Sequence, residues 1–327
     1  MRIVRTIVLA AGLMALILCN AEENARVSRI LDLVCRIHPA NIYPGTPAMS
    51  ELEKEKDLVA VLCQNWDKFK DPERRASVLD YVVCRAHQAC KSRRYWYRLN
   101  DETVAKALVQ ALDDEDPSVR EYEAAGCLLD WFHEDVVRSH TKQILSALEH
   151  HPDNVKGILL LGRTASVSAR DLLRRDGRFV NGDFAKHKVD VALAKLGDQE
   201  REEMLIKMFN TENAPKSKAS LADELGYIGS EKACKALAME LRSALRVGSH
   251  PEYSFRVLII RALSRAYPDN ELLREPEEKE VRKLGDLYYD RIEKWAEQKF
   301  SIAWKEPRPD FFYMMGTPGR PHHGPGR

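Results

Sequence analysis

Apolar residues recur three or four positions apart along most of the chain. Leu58, Val59, Val61, Leu62, Trp66 and Phe69 fall on one side at helical spacing, and the Ser50…Glu53 pair before them has the form of a capping box that predicts a helix start. Asp71-Pro72 offers a cap and a first-turn proline to a second helix carrying Val78, Leu79, Val82 and Val83. The stretch from Asp101 to Leu112 is amphipathic through Val104, Leu108 and Leu112. Asp113-Asp114-Glu115-Asp116 and Pro117 then mark an acidic turn, after which Val119, Ala124, Cys127, Leu128 and Trp131 continue a helix to about Phe132. No long apolar–polar alternation predicts a strand, so the expected fold class is all-α.

The pattern also repeats. Val191–Phe209 and Asp223–Leu241 both read as a helix end, a tight turn around a glycine, and a second helix; aligning Gly197 with Gly229 sets the two 32 residues apart. Glycine at such a turn suits a backbone that takes positive φ after a helix end. Helix pairs repeating every 30–47 residues or so are the mark of an α-solenoid. The segment Val104–Leu129, VAKALVQALDDEDPSVREYEAAGCLL, resembles a HEAT repeat: one helix ends at Leu112, Asp116 and Pro117 hold the turn, Val119-Arg120 open the next helix, and Ala124-Ala125 let the two approach. Residues 191–241 resemble the shorter bacterial HEAT-like variant. This resemblance implies a right-handed stack of antiparallel helix pairs, an armadillo-type superhelix. It also implies structural work for Asp116, Pro117, Arg120, Gly197 and Gly229, with Arg120 held near the acidic turn and tying one repeat to the next.

On this reading residues 50–275 form the repeats. Residues 22–49 cap the N-terminal end, with a helix from Arg26 to Ile37. Residues 276–300 close the C-terminal end through a helix turning Leu284, Leu287, Tyr288, Ile292 and Trp295 inward, and residues 301–327 are an irregular tail, disordered at its end. Two stretches depart from the repeat: 91–100 is a long loop, and 164–185 is a polar, glycine-bearing interruption.

Composition narrows the function classes. The 327 residues carry 51 basic and 50 acidic side chains, a formal net charge of +1. No overall field draws the chain to nucleic acid or to an anionic membrane. Residues 1–21 read as a secretory signal: Arg2 and Arg5 precede an uncharged apolar run from Ile7 to Leu18, and Cys19-Asn20-Ala21 offers a cleavage end. The alternatives are an uncleaved anchor, or a lipoprotein modified at Cys19, against which Leu18 stands before the cysteine. The expected location is exported, periplasmic or secreted, with membrane contact only if this segment is retained or lipidated. Cleavage leaves Cys35, Cys63, Cys84, Cys90, Cys127 and Cys234, where oxidising conditions allow disulfides. Six thiols permit 15 pairings. Cys84 with Cys90 and Cys35 with Cys63 are the two leading candidate bonds, beside a bond of Cys35 or Cys63 with one of Cys84 and Cys90, and no bond at all. Six residues apart in one unbroken helix, two Cα atoms stand about 9 Å from each other, beyond the roughly 7 Å a disulfide allows, so a Cys84–Cys90 bond needs the helix to end between them.

Candidate chemistry is sparse. The histidines and cysteines show no zinc spacing, the acidic turn lacks the calcium-loop pattern, and neither GxSxG nor GxxxxGK[ST] occurs. No catalytic residue, metal or cofactor is therefore expected. The loop with Lys91, Arg93, Arg94, Tyr95, Trp96, Tyr97 and Arg98 stands out. Its cations and aromatic rings suit an acidic polymer, or else the rings pack on the core while the cations stay solvated. The expected function is an exported, non-catalytic interaction scaffold whose concave helical face binds a protein or an acidic envelope polymer. The alternative is an enzyme or chromophore-handling protein, because HEAT-like repeats also occur in bilin lyases.

Overall fold

The computed structural model describes residues 21–89, 98–175, 179, 182–243, 255–273 and 286–304. Among these residues every regular element is helical and no strand occurs. A single isolated parallel bridge joins Leu99 to Phe132. The chain divides into two compact units, one ending at Leu160 and the other starting at Leu161. No helix among the described residues is long and apolar enough to cross a membrane.

The first unit holds α1 (21–36), α2 (Leu58–Asn65), α3 (Pro72–Ala89) and α4 (Glu102–Ala111). A π-helical segment, Val119–Ala125, then runs into α5 (Gly126–Trp131), followed by α6 (Glu134–Ser139), α7 (Thr141–His150) and α8 (Val155–Arg163), within which the division falls. The start of α4 follows from its cap: Asp101 Oδ1 accepts from the amides of Thr103 and Val104 at 3.0 and 3.1 Å. The helix predicted from Ser50 does not form there. Residues Leu52–Lys54 make one 3₁₀ turn and α2 begins at Leu58, after Asp57 in the left-handed region at φ 58°. The capping box fails because Glu53 is used elsewhere: its carboxylate accepts from the Gly45 amide at 3.0 Å, while the Ser50 hydroxyl donates to the Pro47 carbonyl at 2.8 Å. Helices α2 and α4 pack together, and α3 packs against the π-helical segment, so alternate elements share a layer. Val78, Leu79 and Val82 from α3 meet Val104, Leu108, Val119 and Leu128 in a fully buried core.

The second unit holds α9 (Val167–Arg175), α10 (Asp183–Lys195), α11 (Gln199–Thr211), α12 (Pro215–Ile228), α13 (Glu231–Met239), α14 (Phe255–Ala266) and α15 (Asp286–Phe300). The stretch 164–185, expected as an interruption, contains α9, which buries Ala169, Leu172 and Leu173. Two hairpins are plain. Gly197 adopts φ +88° between α10 and α11, and Gly229 adopts φ +68° between α12 and α13, a backbone region that costs other residues strain. Ser230 caps α13 by accepting from the Ala233 amide at 3.1 Å. Helices α10 and α14 both pack on α12, while α11 and α15 both pack on α13. The α12–α14 contact is close because of Gly226: a Cβ there would lie 2.5 Å from the Ala262 carbonyl oxygen. In α15 the buried tyrosine is Tyr289 and Tyr288 is only half-buried, a one-residue rotation from the expected face; Ile292 is fully buried as expected.

Candidate functional site

Among the described residues, three of the places that gather polar and ionisable side chains bear on function. The first is the acidic turn after α4. Arg75, from α3, closes a two-pronged bond on Asp114, with Nε to Oδ2 and Nη2 to Oδ1 both at 2.8 Å. Arg120, only 6% exposed, donates to the carbonyls of Asp114 and Glu115 at 2.8 and 2.7 Å and reaches Asp153 Oδ2 at 3.8 Å. It therefore grips the main chain of the turn rather than its carboxylates. Asp116 accepts from the amide of Ser118 at 2.9 Å and from its hydroxyl, which holds its carboxyl below the ordinary value. Asp113 faces His150 at 3.0 Å and His151 at 3.3 Å. Every acid of the turn except Glu115 thus has a structural partner, and Pro117 sits exposed at the start of the following helix. Arginine and carbonyl geometry of this kind braces the turn.

The second place is a cluster of ionisable groups between α3 and the π-helical segment. Asp80 and Cys84 lie one turn apart on α3, with Sγ 3.7 Å from Oδ1. Glu123 and Cys127 repeat that spacing on the facing segment. Burial pushes Glu123 up to about 7, with Asp80 adding to the shift and Lys156 opposing it. Burial likewise raises Asp80, takes Cys84 up to about 11 and lifts Cys127 well above an ordinary thiol. Both thiols are therefore protonated and weakly nucleophilic at neutral pH. Lys156 lies over the Tyr122 ring at 4.7 Å, in the space Gly126 leaves: a Cβ there would come within 2.9 Å of its ammonium. An acid four residues before a cysteine, found twice, was the signal in the sequence for this cluster. Among the described residues no group of three His, Cys, Asp or Glu is placed to hold a metal ion.

The third place is a groove of about 740 Å³ in the second unit, between α11, α13 and residues 302–304. Its floor is apolar: Ile206 and Ala236, with Met239 57% exposed, and Ile302 and Trp304 on the far side. Lys207, Lys232 and Lys235 stand along the rim. The wall is fixed by a buried chain of charges. Arg242 lies 4.5 Å over the Trp304 ring and donates to Glu293 at 2.9 and 3.1 Å. Glu293, 1% exposed, also takes a bond from the equally buried Arg256, whose guanidinium lies 3.8 Å over Tyr289. Trp304 donates its indole N–H to Glu297. Sequence reasoning missed this groove because it assigned residues from 301 onward to an irregular tail.

The predicted binding loop falls elsewhere. Lys91, Arg93, Arg94, Tyr95, Trp96 and Tyr97, with Cys90, lie outside the described residues; Arg98 is half-buried, just before the bridge at Leu99. Cys35, Cys63, Cys84, Cys127 and Cys234 are free thiols. The Cys35–Cys63 bond is not formed, since Cys35 is exposed on α1 while Cys63 is buried in α2. Helix α3 runs from Pro72 to Ala89; Cys90, and with it the Cys84–Cys90 bond, lies outside the described residues. In comparisons with known proteins, no family model matches the chain and no curated protein matches it.

Proposed function

We propose that this chain is an exported, non-catalytic interaction scaffold built of HEAT-like helix pairs, and that it binds a protein partner along the α11–α13 face. The repeat reading draws support from the two glycine-turn hairpins and from the layering within the second unit, where alternate helices pack on one another. Export rests on the Arg-flanked apolar run of residues 1–21. The observation that carries the binding reading is the groove: apolar, open, and walled by a prearranged ion network. A groove of several hundred Å³ with a few placed charges is the usual form of a binding site.

The test is differential capture. Wild-type protein and the Lys207→Glu/Lys235→Glu variant are used as bait against soluble and envelope fractions of the producing cells. A partner retained by the wild type and lost by the variant is the expected result; identical capture by both would overturn the reading. A second reading, acid–base or chromophore chemistry related to the bilin-lyase alternative, takes its support from Glu123, poised near neutrality beside Asp80. It requires a turnover or a bound chromophore that Glu123→Gln abolishes.

A further inference from the structure

We infer that the groove takes an acidic protein segment carrying a large apolar side chain between its carboxylates. This rests on the scaffold reading above and names the chemistry of the partner. The argument is one of charge and surface. The acids at the groove are already neutralised within the protein: Glu203 pairs with Lys232 at 3.1 Å and Glu240 with Lys218 at 3.1 Å. Lys207 and Lys235 are exposed on the rim and form no ion pair among the described residues. The charge left over is positive and flanks the floor. Two unpaired ammonium groups select carboxylates and speed their encounter. The floor decides between kinds of anion. Met239, exposed to 57%, and Trp304 offer apolar surface that an acidic glycan or polyphosphate would leave wet, whereas a Leu or Phe side chain would cover it. The wall needs no rearrangement to receive such a side chain, because Arg242 already holds the Trp304 ring in place.

The experiment is fluorescence anisotropy with the full chain and a labelled synthetic peptide of Asp and Glu around a central Leu-Phe pair. Saturable binding is expected, weakened about tenfold or more by Lys207→Glu/Lys235→Glu and likewise by high salt, as for rim charges that steer association. A peptide with Ala at the two central positions should bind at least about tenfold more weakly, as for an interface whose energy lies in a few apolar anchors. Both lysines are exposed, so the variant keeps its fold, which circular dichroism checks. Met239→Glu provides an independent loss from the floor. Equal binding of polyglutamate and the Leu-Phe peptide would overturn the inference in favour of a polymer. So would binding that survives both Met239→Glu and the double charge reversal, or no binding at all. If the peptide fails while differential capture at the groove persists, the acidic segment is wrong and the scaffold stands. If capture fails as well, the scaffold reading falls with it.

Discussion

The cluster at Asp80 and Glu123 and the groove between α11 and α13 differ in kind. At the cluster, ionisation is perturbed: burial lifts a carboxyl to about 7 and both thiols far up. Yet Cys84 and Asp80 bond to each other, Lys156 lies beside Gly126, and among the described residues no metal-ligating set converges. At the groove the charges are arranged around an apolar floor. Perturbed ionisation marks a functional site only when it coincides with a place for a ligand to sit. Here the two properties lie in separate units, and the proposed scaffold rests on the groove.

The largest expected effect comes from removing the groove's buried anchor. Glu293→Ala leaves Arg256 and Arg242 without their shared carboxylate, and breaking a buried ion pair costs about 3–5 kcal/mol. Denaturant unfolding should show that loss together with loss of capture at the groove; parental stability would contradict the wall described for it. Next comes Arg120→Ala, which strips two carbonyl bonds from the acidic turn and should cost about 1–3 kcal/mol, as for hydrogen bonds to charged groups. Because Arg120 belongs to the other unit, capture at the groove should survive wherever the variant is folded. An unchanged melting curve would mean the turn is not braced as described.

Glu123 gives a smaller effect with a defined sign. Its folded value of about 7 lies above its ordinary 4.5, so the folded state holds a proton that the unfolded chain releases. Stability from this group is present below about 4.5 and is lost as pH rises through 7. After allowance for solvent screening, Glu123→Gln should therefore stabilise the protein by about 1–2 kcal/mol at pH 8 and leave it nearly unchanged at pH 4. Thermal melts at the two values check this, and a destabilised variant at pH 8 would instead give Glu123 an essential charged role. The smallest effect is expected at the rim. Lys232 and Glu203 are 57% and 66% exposed, so Lys232→Ala should change stability by less than about 0.5 kcal/mol in a chemical melt.

What was legible in the sequence was the local physics. Asp101 before an amphipathic run, Gly197 and Gly229 between helices, and Asp116-Pro117 at a turn are each set by a few neighbouring residues, and the structure places each at a helix end. What was not legible depended on distant partners. Glu53 abandons its capping box because the Gly45 amide is nearby. The π-helical turn at Val119–Ala125 has no marker in a pattern that reads as ordinary helix. Arg120 was expected near the acidic turn; it grips the turn through the carbonyls of Asp114 and Glu115, while Arg75, more than thirty residues earlier in the chain, takes the Asp114 carboxylate. The groove needed Trp304 brought back to Arg242, more than sixty residues earlier in the chain.

The most direct test sets the two regions against each other. A photoreactive benzoylphenylalanine replaces Met239 in one protein and Tyr122, 61% exposed beside Glu123, in another. Both are irradiated in the producing cells. A discrete protein adduct at position 239 that disappears with Lys207→Glu/Lys235→Glu, and none at position 122, is the predicted result. An adduct at 122 with none at 239 would contradict the account and move the functional site to the Asp80–Glu123 cluster.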